Sequence, residues 1–197
     1  YKAVETRAHR AAADEQSLKV GDWLGMNPLT ITQEYQTQDI ADTRETDPLY
    51  LKEGIVHSGT VLRCCNWVLT HNVVLPAWMH MGSVVQNLGT AHVGDTLGAR
   101  ARVTKNYEHK GHKWVEVDAL VLANNTRPIA RVTHIAIYRP RQLAQADLEN
   151  VFRLDGGEPE LFHQCRLGLV RLANHLDDLV YVEIDDHPAF ENMNAVI

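Results

Sequence analysis

A long apolar segment, entered through a His–Ser–Gly step, limits what this chain can fold into. The run from Gly59 to Asn72 predicts a helix, with Ser58 as its N-cap and Pro76 as its far limit. Val61, Leu62, Cys64, Cys65, Trp67, Val68 and Leu69 occupy most of its circumference, so it must be buried on nearly all sides. One stripe differs. Gly59, Arg63, Asn66 and Thr70 recur at helical spacing and share a face. A buried helix with a single polar line has to meet something polar along that line. Cys64 and Cys65 are expected as small core residues, because a nucleophilic thiol needs an accessible, electropositive setting.

The flanking sequence says what can bury such a helix. Residues 1–18 read as a polar, Ala-rich arm, either a short helix or frayed. Leu29–Thr32 reads as a short strand, and Gln33–Asp42 as a polar surface helix starting near Thr32. A loop from Thr43 to Val56 leads into the central helix. After it come four predicted strands: Met81–Leu88, Thr96–Glu108, Lys113–Leu122 and Pro128–Tyr138. His109–His112 makes a hairpin turn, and Asn124–Asn125 another turn. In the third strand Val115, Val117, Ala119 and Val121 fall on one face, with Trp114, Glu116 and Asp118 on the other. That pattern fits an antiparallel sheet with one buried side. Val20–Gly21–Asp22–Trp23–Leu24 echoes Val93–Gly94–Asp95–Thr96–Leu97, two turns that each feed a strand. An antiparallel sheet wrapped around the long helix, an α+β architecture, is the economical solution.

Residues 142–197 form a separate C-terminal extension, expected to be mainly helical. Glu158–Pro159–Glu160 opens a helix whose Phe162, Cys165, Leu169, Leu172 and Leu176 make one apolar stripe. Tyr181–Ile184 reads as one more strand. Asp185, Asp186 and His187 read as a solvated turn.

Composition narrows function. The chain has 197 residues, 45% of them hydrophobic, which suits one cored domain plus an appendage. A net charge of −6 argues against nucleic-acid and membrane-surface partners. No apolar run reaches the ~18 residues of a membrane span, and the first residues lack a signal-peptide core. Three cysteines make no disulfide framework. A reducing, cytoplasmic setting is expected, although a targeting segment could precede the first residue. The histidines lie at no ligand spacing, so neither metal nor cofactor is expected.

From about Lys19 to Arg141 the chain resembles the MaoC-like branch of the hot-dog superfamily, which includes acyl-CoA hydratases and dehydratases. The resemblance rests on VGDWL with LTITQEY, on DPLY followed by GIVHSG, on VGDTLGARARVT and on ARVTHIAIYRPR. It implies a hot-dog domain over 19–141 and an acyl-CoA or acyl-carrier thioester as substrate. It also implies a homodimer, or a hetero-oligomer with another hot-dog subunit. The family's catalytic loop has the form D-x-N-P-x-H. Here that run is Glu45–Thr46–Asp47–Pro48–Leu49–Tyr50, so only Pro48 is identical. Glu45 stands at the catalytic Asp, Asp47 at the Asn and Tyr50 at the catalytic His, while His57, Ser58 and Gly59 match the family's HG step.

The resemblance implies roles for these residues. His57 would be an acid or base, since imidazole titrates near neutrality. Asp47 or Glu45 would orient it, and Tyr50 would donate a hydrogen bond. The Gly59 amide, with that of Thr60, would receive the thioester oxyanion at the positive helix end. Ser58, Arg63 and Asn66 would line the substrate. Asp47 could equally make only an Asx turn, and Arg63 and Asn66 could be a buried polar pair that fixes the helix. Three readings stand: a hydratase or dehydratase, a thioesterase with Glu53 as a further candidate base, and a non-catalytic acyl-binding or partner subunit.

Overall fold

The computed structural model describes residues 1–75 and 77–141. In chain order these form β1 (Ala11–Ala12), β2 (Trp23–Gly25), β3 (Leu29–Thr30), α1 (Gln33–Thr43), α2 (Leu49–Glu53), α3 (Ser58–Thr70), β4 (Val73–Val74), β5 (Met79–Asn87), β6 (Thr96–His109), β7 (His112–Ala123) and β8 (Arg127–Arg139). The expected C-terminal extension, with its helix, strand and Asp185–His187 cluster, lies outside the described residues, as does Pro76.

Alternation builds the sheet. The main sheet has the strand order β2-β6-β7-β8-β5, with β3 also paired to β6. Its pairings are antiparallel. The turn between β6 and β7 places Lys110 and Gly111 at positive φ, and the turn before β8 does the same with Asn124 and Asn125. Glycine and asparagine are the residues that tolerate this conformation, which matches the right-handed twist of a hairpin. The echoed Val–Gly–Asp turns share a cause: Gly21 (φ 97°) and Gly94 (φ 94°) are both left-handed and feed β2 and β6.

Val115, Val117, Ala119 and Val121 of β7 join Val61, Cys64, Cys65, Val68 and Leu69 of α3 in one core. Each fully buried valine or leucine there contributes roughly 1.5–3 kcal/mol. The sheet therefore curls around α3 as the apolar circumference of the helix requires. The opposite face is not simply solvated, contrary to expectation. Trp114, Ile135 and Ile137 form a second cluster there, flanked by Met79, Met81 and Tyr107.

Four local expectations are corrected. The helix stops at Thr70 rather than Asn72, because Val73 and Val74 pair with Ala11 and Ala12 instead. The arm is not a helix but pairs as β1 and then turns, and it buries Ala13 and Leu18. The loop after α1 contains the short helix α2, closed by Gly54 in the left-handed conformation. Finally, α1 starts at Thr32 as expected, but Gln36, Asp39 and Ile40 are buried. Of its polar residues, Gln36 and Asp39 turn inward, while Gln33, Glu34, Thr37, Gln38 and Asp42 are exposed.

Candidate active site at the start of the central helix

The chain approaches α3 along a fixed track. Val56 donates to the Ala91 carbonyl at 2.8 Å and Val93 donates to that of Gly54 at 2.9 Å, tying the segment before His57 to the turn that feeds β6. His57, not Ser58, is the N-cap. Its Nδ1 accepts from the Gly59 amide at 3.1 Å, while Ser58 is already helical and exposed. A Cβ at Gly59 would sit 2.9 Å from that Nδ1, so glycine makes room for the imidazole cap.

This geometry changes the expected chemistry. An Nδ1 that accepts a backbone N–H puts the proton of neutral imidazole on Nε2. That Nε2 lies 3.5 Å from Glu45 Oε2. Arg44, the C-cap of α1, is left-handed and ends the helix just before Glu45. Glu45 Oε1 accepts from the amides of Thr46 (2.7 Å) and Asp47 (2.8 Å). These amides, Asp47 first, hold the Glu45 carboxyl below its ordinary range. Tyr50 packs its ring edge-on against His57 at 5.0 Å between centroids.

The site therefore unites Glu45, Tyr50 and His57. Asp47 is exposed and makes the Asx turn, accepting from the Leu49 amide at 2.9 Å, so it does not orient His57. Glu53 is exposed and lies 3.9 Å from Lys52. The Gly59 amide, expected to face an oxyanion, is spent on His57, and the Thr60 amide donates to the His57 carbonyl at 3.1 Å. Among the described residues, the Ser58 amide is the one of these three that keeps no partner.

The polar stripe of α3 meets protein. Arg63 Nη1 lies 3.0 Å from Asp39 Oδ1 and 3.4 Å from the Tyr35 hydroxyl. Thr60 donates to the other Asp39 oxygen. Arg63 and Asn66 do not pair with each other. The Asn66 Oδ1 is buried with no hydrogen-bond partner among the described residues, and the Thr70 carbonyl accepts from Arg10. Sequence reading passed over Gln36 and Asp39, since a polar helix looks like a surface helix. The available signal was their shared face, three residues apart, opposite the Thr60–Arg63 pair at the same spacing.

Cys64 and Cys65 are both buried, as expected, and burial pushes the Cys64 thiol up to about 12 and that of Cys65 further. Among the described residues no group of three or more His, Cys, Asp or Glu side chains could hold a metal ion, and no helix is long and apolar enough to cross a membrane.

No family model and no curated protein matches this sequence. Solved structures do. A putative MaoC domain protein dehydratase from Chloroflexus aurantiacus superposes with a TM-score of 0.57 at 14% identity, over 70% of this chain and 43% of that one. A monoamine oxidase regulatory protein from Archaeoglobus gives 0.55 at 18% identity, covering 68% of this chain and 98% of its own. The fold is the hot-dog fold. An (R)-hydratase from A. caviae involved in PHA biosynthesis agrees, with a TM-score of 0.53 at 17% identity over 62% of this chain and 98% of its own. In hot-dog terms α3 is the central helix and β5 an edge of the surrounding sheet. The likeness to MaoC-like dehydratases and R-hydratases is one of fold, and the chemistry has to be argued from Glu45, Tyr50 and His57.

Proposed function

We propose that this hot-dog chain adds water to, or removes it from, an acyl thioester at the start of α3. The observation that carries this reading is the approach of the Glu45 carboxylate to His57 Nε2 at 3.5 Å, at the N-terminal end of the central helix. Glu45 stands where the MaoC-like loop has its aspartate, and His57 belongs to the HG-like step.

The cap decides the roles. Neutral His57, with Nδ1 occupied, cannot accept a proton without giving up the Gly59 bond. It serves as a donor through Nε2–H, aimed at a thioester oxygen when substrate displaces part of the Glu45 contact. The Ser58 amide supplies a second donor, where the helix dipole favours negative charge. Glu45 Oε2, free of the backbone bonds, takes a proton from water as the oxygen bonds to the β-carbon. The same carboxyl then returns that proton to the α-carbon, giving the 3-hydroxyacyl thioester. A carboxylate held low is a weak base but, once protonated, a strong acid for the second half of the step.

A second copy, or another hot-dog subunit, would pair along β5. Among the described residues this strand pairs only with β8. β5 ends the strand order with Val84 and Val85 49% and 38% exposed, an unprotected edge among the described residues. Incubation with enoyl-CoA and acyl-CoA panels tests the reaction: loss of enoyl absorbance supports hydration, and free thiol release without it supports a thioesterase. Saturable binding with neither signal supports the non-catalytic reading, which the Tyr50 substitution favours.

A further inference from the structure

Buried polar groups are costly, so one without a full set of partners calls for a reason. Gln36 on α1 is 2% exposed. Its Nε2 donates to the carbonyls of Tyr50 (2.8 Å) and Ile55 (2.7 Å), while its Oε1 is buried without a partner. These two carbonyls lie on either side of the Lys52–Gly54 end of α2, the segment that presents Tyr50 to His57. One turn further along the same face, Asp39 is 5% exposed and holds Thr60 and Arg63 of α3. Both polar groups on the buried face of α1 therefore bind the two elements that meet at His57.

We propose that α1 is a positioning clamp, with Gln36 fixing the Tyr50 segment and Asp39 fixing the first turns of α3, so that Tyr50 and Glu45 are held in register with His57. The assignment of a purpose to that register rests on the reaction proposed above, but the clamp itself does not. A leucine or methionine at position 36 would remove the orphan oxygen and add apolar packing. Such a residue would also strip the Tyr50 and Ile55 carbonyls of their side-chain donor, so the glutamine is kept for what it ties together. A buried ion pair such as Asp39–Arg63 is weak evidence for stability and is better understood as fixing geometry. Glu45 follows Arg44, the C-cap of α1, so the carboxylate is carried on the end of the same clamp. The carboxylate, the ring and the helix start are thus all referenced to one helix.

The test uses the full chain without ligand and reads the His57 imidazole by NMR. In the wild type the proton sits on Nε2, and the edge-on Tyr50 ring shifts the imidazole ring protons. Gln36→Met is expected to leave the fold and helix content intact while that ring-current shift collapses, because the Tyr50 segment loses both anchors. In turnover assays kcat is expected to fall by tenfold or more with KM nearly unchanged. Gln36→Glu gives an internal control should Gln36→Met fail to fold. Its ionised carboxylate faces two carbonyls and breaks the clamp. Protonated at low pH, the carboxyl offers one O–H to one of the two carbonyls, and the His57 shift returns in part. A folded Gln36→Met protein with wild-type His57 resonances would overturn the proposal. So would a Gln36→Glu protein whose His57 shift, measured relative to wild type at each pH, does not change with pH. If the wild type turns over no thioester, the proposed reaction fails while the imidazole readout still decides the clamp.

Discussion

At the residue scale the site turns on which atoms of His57 are already committed. The sequence placed His57, Glu45 and Tyr50 within thirteen residues, so the cluster was legible before any coordinates. The orientation was not. Whether Ser58 or His57 caps the helix depends on whether Nδ1 can reach back over Gly59, a matter of φ and ψ. Gly59→Ala puts a methyl group against that ring. It is expected to release the cap, costing about 1 kcal/mol, the usual weight of an N-cap, seen as a lower urea midpoint. It should also mix the His57 tautomers by NMR. Glu45→Gln keeps the shape but removes the proton acceptor, and turnover should drop roughly a hundredfold, the scale of a general acid–base group. Asp47→Asn, which can still make the Asx turn, should leave turnover within about twofold. Equal losses at 45 and 47 in steady-state assays would move the chemistry off Glu45.

At the element scale the informative strands are β5 and β8. His80 stacks on His134 at 4.4 Å between centroids, and the Ser83 hydroxyl bridges them, 2.9 Å from His80 and 3.1 Å from His134. Burial first, and for His134 the neighbouring His80 charge as well, lowers both pKa values, that of His134 far down. A lowered histidine pKa means that the unfolded chain binds protons the folded one refuses. Stability is therefore unaffected above about pH 7. It falls as pH drops through the unfolded value near ~6.5, until the folded groups themselves protonate. Urea unfolding should show a lower midpoint at pH 5 than at pH 7.5, and His80→Phe, which keeps the stack, should lessen that dependence while the buried His134 retains the rest. An unchanged pH dependence in the variant would exclude His80 as a source. Nothing in the sequence marked this pairing, since His80 and His134 are brought opposite one another only by the β5–β8 register with its bulge after His80. The long strands β6 to β8, by contrast, were legible from alternation to within a residue or two. The elements that were missed, β1, β4 and α2, are two to five residues long. Such short pieces exist only because tertiary partners hold them, so local pattern carries no signal for them.

At the scale of the whole molecule, the sheet curled around α3 follows from the apolar circumference of one helix and the alternation of four strands. A sheet wrapped around that helix was therefore readable in the residue pattern, and the hot-dog fold in the resemblance of its motifs. The clamping role of α1 was not, because two buried polar residues on an otherwise exposed polar helix leave it the composition of a surface helix. The exposed edge of β5 predicts an assembly. Sedimentation at micromolar concentration should give at least a dimer, and Val85→Lys, which sets a charge on that edge, should shift it to monomer. A wild-type monomer would count against pairing along β5. The central claim is that Glu45 and His57 form an acyl-thioester hydratase site, and the most direct measurement is the loss of enoyl absorbance on a panel of enoyl-CoA thioesters, with wild type and Glu45→Gln side by side. The account predicts turnover in the wild type without free thiol release, and a loss of roughly a hundredfold in Glu45→Gln. Full activity in Glu45→Gln, or saturable acyl-CoA binding with no turnover in the wild type, would contradict it.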